Sequence, residues 1–224
     1  MKIIIFIILL TYCISEKQSP KGISPTAVYD KKRNLYILVE NGVRKQFTEK
    51  GQLYSECEVD SQGREHGICK TFLPETGQVL SEGRYINGER DGVWIWNFPD
   101  GKPYYKLSFS HKKKRKVWLE TNLLGNEHGE YFRFYNNGKL EEKGFYDTGL
   151  KTGKWERYYL NGKLEYTGNF FQDKKILEWT YYYPNGSLEA EESFTKEGTL
   201  IQRTTYYPNG NLACVVKDYN FSCY

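Results

Sequence analysis

One phrase recurs along this chain at a fixed interval, and it constrains the fold more than any other feature. "YYYPNGSLEAEESF" at residues 181–194 returns as "TYYPNGNLACVVKD" at residues 205–218. A turn glycine marks each copy: Gly51, Gly77, Gly101, Gly138, Gly162, Gly186 and Gly210, spaced by 26, 24, 37, 24, 24 and 24 residues. An apolar residue follows two positions later in most copies, as Leu140, Leu164, Leu188 and Leu212, and an aromatic column runs through Trp94, Tyr131, Trp155 and Trp179. A unit of this size cannot bury its own apolar face, whereas stacked neighbours can, so the period predicts a cooperative array without a central core.

Within each unit the pattern is that of two short strands. In "KWERYYL" the residues Trp155, Arg157 and Tyr159 fall on one face and Glu156, Tyr158 and Leu160 on the other, the period-two alternation of a strand. Only 39% of the chain is hydrophobic but 17% is aromatic, a composition suited to sheets covered by amphipathic rings. The Asn-Gly pairs ending at Gly138, Gly162, Gly186 and Gly210 predict tight hairpins with both central residues at positive φ. The second turn of each unit, as in "INGERDG" and "YDTGLKTG", is expected to be looser. Gly83, Gly144 and Gly168, each six residues past a marker, are expected to let a neighbouring ring lie over the backbone. The 37-residue interval holds "HKKKRK" at residues 111–116, and Val117-Trp118-Leu119 reads as strand again. The fold class is therefore all-β: an elongated, single-sheet antiparallel β-meander of about a dozen strands, running from residue 35 to the end.

"DGVWIWNFPDGKPYYKLSF", "TGKWERYYLNGKLEYTGNF" and "EWTYYYPNGSLEAEESF" resemble the variant MORN repeat of bacterial antitoxin-like proteins, a likeness that covers about residues 51–218. It implies a scaffold and interaction surface rather than a particular chemistry.

The N-terminus carries a separate signal. "MKIIIFIILLTYC" sets one lysine before eight apolar residues, too few to span a bilayer as a helix but suited to an export signal. Leu10-Thr11-Tyr12-Cys13 resembles a bacterial lipobox, although Tyr12 stands where a small residue is usual. The expected organisation is a signal peptide at 1–12, a lipidated Cys13 leading a flexible tether over 13–34, and a repeat domain over 35–224. Other secretion and a cytoplasmic location remain as alternatives.

Little in the sequence points to catalysis. His66, His128, Asp91 and Thr152 share one repeat slot, and so varied a position reads as a permissive turn site. His111 has no evident carboxylate partner in sequence. The glutamates 141, 142, 189, 191 and 192 read as a solvated face rather than the paired carboxylates of a glycosidase. No phosphate loop, dinucleotide fingerprint or nucleophile motif occurs. No cofactor or metal is expected. The net charge of +4 does not predict a nucleic-acid partner, while residues 112–116 could meet anionic lipid. Besides Cys13, the cysteines form two local pairs, Cys57 with Cys69 and Cys214 with Cys223, open to disulfides, free thiols or metal. The expected role is a non-enzymatic lipoprotein of the cell envelope that binds a protein or envelope component. The alternatives are a cytoplasmic antitoxin-like protein, and a glycan-binding module using Trp94, Trp155 and Trp179 as stacking platforms.

Overall fold

The computed structural model describes residues 18–112, 127–217 and 220–224. Among them are seventeen strands in one sheet. The first eight are β1 (Val28–Asp30), β2 (Leu35–Glu40), β3 (Val43–Phe47), β4 (Leu53–Val59), β5 (Glu65–Phe72), β6 (Val79–Ile86), β7 (Glu89–Asn97) and β8 (Pro103–Phe109). Next come β9 (Glu127–Phe134), β10 (Leu140–Asp147), β11 (Leu150–Tyr158), β12 (Leu164–Phe171) and β13 (Lys174–Tyr182). The last four are β14 (Leu188–Phe194), β15 (Leu200–Tyr206), β16 (Leu212–Lys217) and β17 (Asn220–Cys223). Each strand pairs antiparallel with its sequence neighbours, giving an open meander.

The sheet has more strands than the expected dozen and begins before residue 35, because Val28–Asp30 already pairs with β2. Strand β8 pairs directly with β9, so the long interval falls in one connection and leaves the meander unbroken. Residues 117–119, read as strand, lie outside the described residues, as does the signal segment with Cys13.

The two sets of turns exchange the roles expected of them. At Tyr159–Lys163, Gly162 N donates to Tyr159 O and Tyr159 N to Lys163 O, both at 2.8 Å. Only the glycine has positive φ there, +86°. This is a turn closed by a left-handed glycine bulge, and the Asn161 carboxamide oxygen instead accepts the Lys163 N–H at 2.9 Å. The tight two-residue turns lie at the opposite end of the strands, where both central residues have positive φ: Asn41-Gly42, Asn87-Gly88, Thr148-Gly149 and Gln172-Asp173. The slot of His66, Asp91, His128 and Thr152 is also not a turn. It lies within strands, beside a glycine at positive φ, where the ladder is irregular.

The two faces differ in chemistry. On one, cross-strand neighbours run Lys45, Glu56, Lys70, Glu82, and farther on Lys143 and Glu156, an alternation of charge that keeps an open sheet hydrated. Lys143, then Lys154 and Tyr158, hold the Glu156 carboxyl down at about 2. The other face carries the buried aromatic column. The leucines after the markers are only half-buried, and Leu212 is exposed, because they start strands beside solvent-facing turns.

Candidate interaction face

The aromatic face is built from one repeated contact between neighbouring strands. A Cβ added to Gly144 would lie 2.2 Å from the Trp155 ring, one on Gly83 2.2 Å from Trp94, and one on Gly168 2.1 Å from Trp179. Any side chain there would displace the indole, so glycine on one strand lets the next strand's tryptophan lie against the backbone. The three tryptophans are 2%, 0% and 1% exposed in chain order. Trp94 and Trp179 donate their indole N–H to the carbonyls of Arg84 and Asn169, at 3.0 and 3.1 Å.

Other repeats fill the same slot with different chemistry. Cys57 stands in the glycine place and Cys69 in the tryptophan place, and a disulfide joins them. Leu107 faces Tyr131 across β8 and β9. Glu192 faces Arg203 across β14 and β15, with Nη1 2.9 Å from Oε1. A ring against backbone, an S–S bond, an apolar pair and an ion pair thus occupy equivalent positions.

Cations cover the rings from four residues upstream. Arg90 lies 4.8 Å from the Trp94 centroid, Lys151 3.9 Å from Trp155 and Lys175 4.8 Å from Trp179. These long side chains lay their stems along apolar surface and shield the rings. Burial lowers the Lys151 pKa, with the Glu142 carboxylate acting in the opposite sense.

Two buried glutamates sit in the aromatic row, and sequence reasoning assigned both to a solvated face. Glu142 accepts hydrogen bonds from Tyr166 Oη at 2.6 Å and Tyr131 Oη at 3.2 Å. Glu192 accepts from Tyr181 Oη at 2.7 Å, Lys175 Nζ at 3.2 Å and Arg203 Nη1 at 2.9 Å. Burial, with the neighbouring carboxylates adding to it, raises the pKa values of Tyr131, Tyr166 and Tyr181. These hydroxyls therefore act as donors. Glu142 and Glu192 thus face hydroxyl donors and cations rather than an apolar pocket. For Glu192 the missed signal was in the period itself, since it occupies the slot that Gly168 and Gly144 hold one and two repeats earlier.

At the turn edge, Tyr135, Tyr159 and Tyr183 donate their hydroxyls to the carbonyls of Tyr158, Tyr182 and Tyr206, at 2.8, 2.7 and 2.8 Å. Each tyrosine before a turn thereby bonds the last residue of the corresponding strand in the following repeat. This accounts for the tyrosine directly before Pro-Asn-Gly in the first copy of the recurring phrase, Tyr183. The seven marker glycines all take positive φ.

His111 does have a carboxylate partner, since its Nδ1 lies 2.6 Å from Asp91 Oδ1. His128 Nδ1 lies 2.9 Å from Asp147 Oδ1. No group of three or more metal-ligating side chains occurs among the described residues. A second disulfide joins Cys214 to Cys223 across β16 and β17. The basic run falls outside the described residues beyond Lys112. The burial of Trp94, Trp155 and Trp179 removes them as exposed stacking platforms, which corrects the glycan reading built on them.

Five segments, residues 40–60, 90–111, 127–148, 151–172 and 176–196, match the MORN repeat variant. No curated protein matches the sequence. Among solved structures, one chain of "Crystal Structure of TcdB2-TccC3-Cdc42" aligns over 86% of this chain and 15% of its own length, at 14% identity and a TM-score of 0.13. This chain thus spans under a sixth of that one, and the likeness carries no argument about fold or function.

Proposed function

From the premise that the chain carries MORN-variant repeats, the family being generally a non-catalytic scaffold, we propose that it is a lipid-anchored scaffold of the bacterial cell envelope. In this reading it displays a long sheet to a protein or a cell-wall component. The observation that carries the scaffold reading is how fully the face uses its own chemistry. Its tryptophans lie on glycines, its tyrosines donate to carbonyls and carboxylates, and its glutamates are held by cations. Such a surface is rigid and presents shape and hydrogen-bonding edges.

Two further observations support the envelope. Cys13 follows a short apolar run behind a basic residue, and both remaining cysteine pairs are bonded, as an oxidising compartment permits. Intact mass of the membrane-fraction protein from a bacterial host, beside a Cys13→Ser variant, tests the reading. The expected chain begins at Cys13 with added acyl mass that the variant lacks. An unmodified chain beginning at Met1 in the soluble fraction would sink it and favour a cytoplasmic antitoxin-like role.

A further inference from the structure

The two bridges sit in different surroundings. Cys57 and Cys69 are 7% and 6% exposed, and they join β4 to β5, strands flanked by β3 and β6. Cys214 is half-buried and Cys223 exposed, and their bond joins β16 to β17. Exchange requires an incoming thiolate to reach one sulfur of the pair, so access decides which bridge reacts.

Little besides the bridge holds β17. It pairs through four residues, from Cys223 opposite Cys214 to Asn220 opposite Lys217, and with β16 alone among the described strands. All four are exposed, and Phe221 and the adjoining Tyr224 are 76% and 74% exposed, so the strand buries almost no apolar surface. Beyond the ladder, Tyr224 N donates to Ala213 O at 2.9 Å and Tyr207 Oη to Tyr224 O at 3.5 Å. Hydrogen bonds at an exposed edge replace bonds to water and do little more than offset the entropy of ordering the backbone. A strand without an apolar face is marginal. The covalent bond therefore keeps β17 in place, whereas β4 and β5 are also held by their ladders to β3 and β6.

We propose that Cys214–Cys223 is a thiol–disulfide exchange site for a dithiol reductant of the Cys-x-x-Cys type, and that its reduction releases β17 from the sheet. One thiolate of the reductant attacks Cys223 Sγ, the bond to Cys214 breaks, and Cys214 leaves as a thiolate that takes a proton from water. The reductant's second thiolate then attacks its own sulfur in the mixed disulfide and expels Cys223. Two electrons pass to the bridge, and the reductant ends as a disulfide. Release of β17 uncovers the backbone N–H and C=O groups of β16 and makes it the new sheet edge. The site is independent of the acyl anchor, since it needs only the folded sheet.

The test treats the folded full chain with dithiothreitol, quenches with N-ethylmaleimide and maps the modified cysteines by mass spectrometry. Cys214 and Cys223 are expected to be labelled at least about tenfold faster than Cys57 and Cys69, which must wait for central strands to open. A thioredoxin lacking its resolving cysteine is expected to be trapped on Cys223. Amide exchange of protein reduced only at this bridge is expected to show β16 and β17 deprotected and β4 and β5 unchanged. The Cys214→Ser/Cys223→Ser variant is expected to match it without reductant; should that variant not fold, the singly reduced chain decides. Equal labelling of both pairs, or trapping on Cys214, overturns the exchange site. Undiminished protection of β17 after reduction overturns the release.

Discussion

Leu177 holds a backbone conformation that the rest of its column leaves to glycine. Its φ is +57°, whereas the equivalent positions one, two and three repeats earlier are Gly153, Gly129 and Gly92, also at positive φ. A left-handed conformation costs a β-carbon residue about 1–2 kcal/mol, and glycine in a strand carries an entropic cost of about 0.5–1 kcal/mol. Leu177 is 47% exposed, so little burial offsets the difference. Leu177→Gly is therefore expected to stabilise the protein by about 0.5 kcal/mol, and Gly153→Leu to destabilise it. Urea unfolding of both variants measures this, and an unstable Leu177→Gly protein would refute the assignment of strain.

At the scale of the element, the unit is a strand pair locked by whatever fills the glycine and tryptophan places. The Cys57–Cys69 bond and the Gly144–Trp155 contact occupy equivalent positions, so one should substitute for the other. Losing a disulfide that closes a short loop costs about 3 kcal/mol. Cys57→Ser/Cys69→Ser is expected to lose about that much, and Cys57→Gly/Cys69→Trp to regain a large part of it. Thermal melts of the two variants decide; equal losses would show that the slot is not interchangeable. Much of this element was legible beforehand. The columns through Trp94, Trp155 and Trp179, and the glycines beneath them, follow from the period alone. The turns were not, because Asn-Gly serves both a two-residue turn and a longer one closed by a glycine bulge. What separates them is the count between paired residues, such as Tyr158 and Leu164. Burial of Glu142 was hidden for another reason: a glutamate reads as solvated until its cross-strand arginine or tyrosine is placed beside it.

At the scale of the molecule, strand pairs contact only their neighbours, so local stability should vary along the array. The middle strands β11–β13 have a buried tryptophan on each side of Gly168, in Trp155 and Trp179. Toward the C-terminus the packing thins: Leu200, Ile201, Leu212 and Phe221 are exposed. Amide exchange followed by mass spectrometry is expected to show β15–β17 opening first and β11–β13 last. Uniform protection over all strands would mean that the sheet melts as one body.

The two disulfides have a mechanical consequence. A meander pulled from its termini is loaded across its hydrogen bonds, which then break a pair at a time instead of sharing the force. Each hairpin released would lengthen the chain by its whole contour. Cys57–Cys69 and Cys214–Cys223 bridge adjacent strands, so the segments they close pay out no length. The sheet thus carries one inextensible segment after its first three strands and another at its C-terminal end. A load between the termini would draw out β1–β3 and the hairpins between the two bridges and leave the closed segments intact.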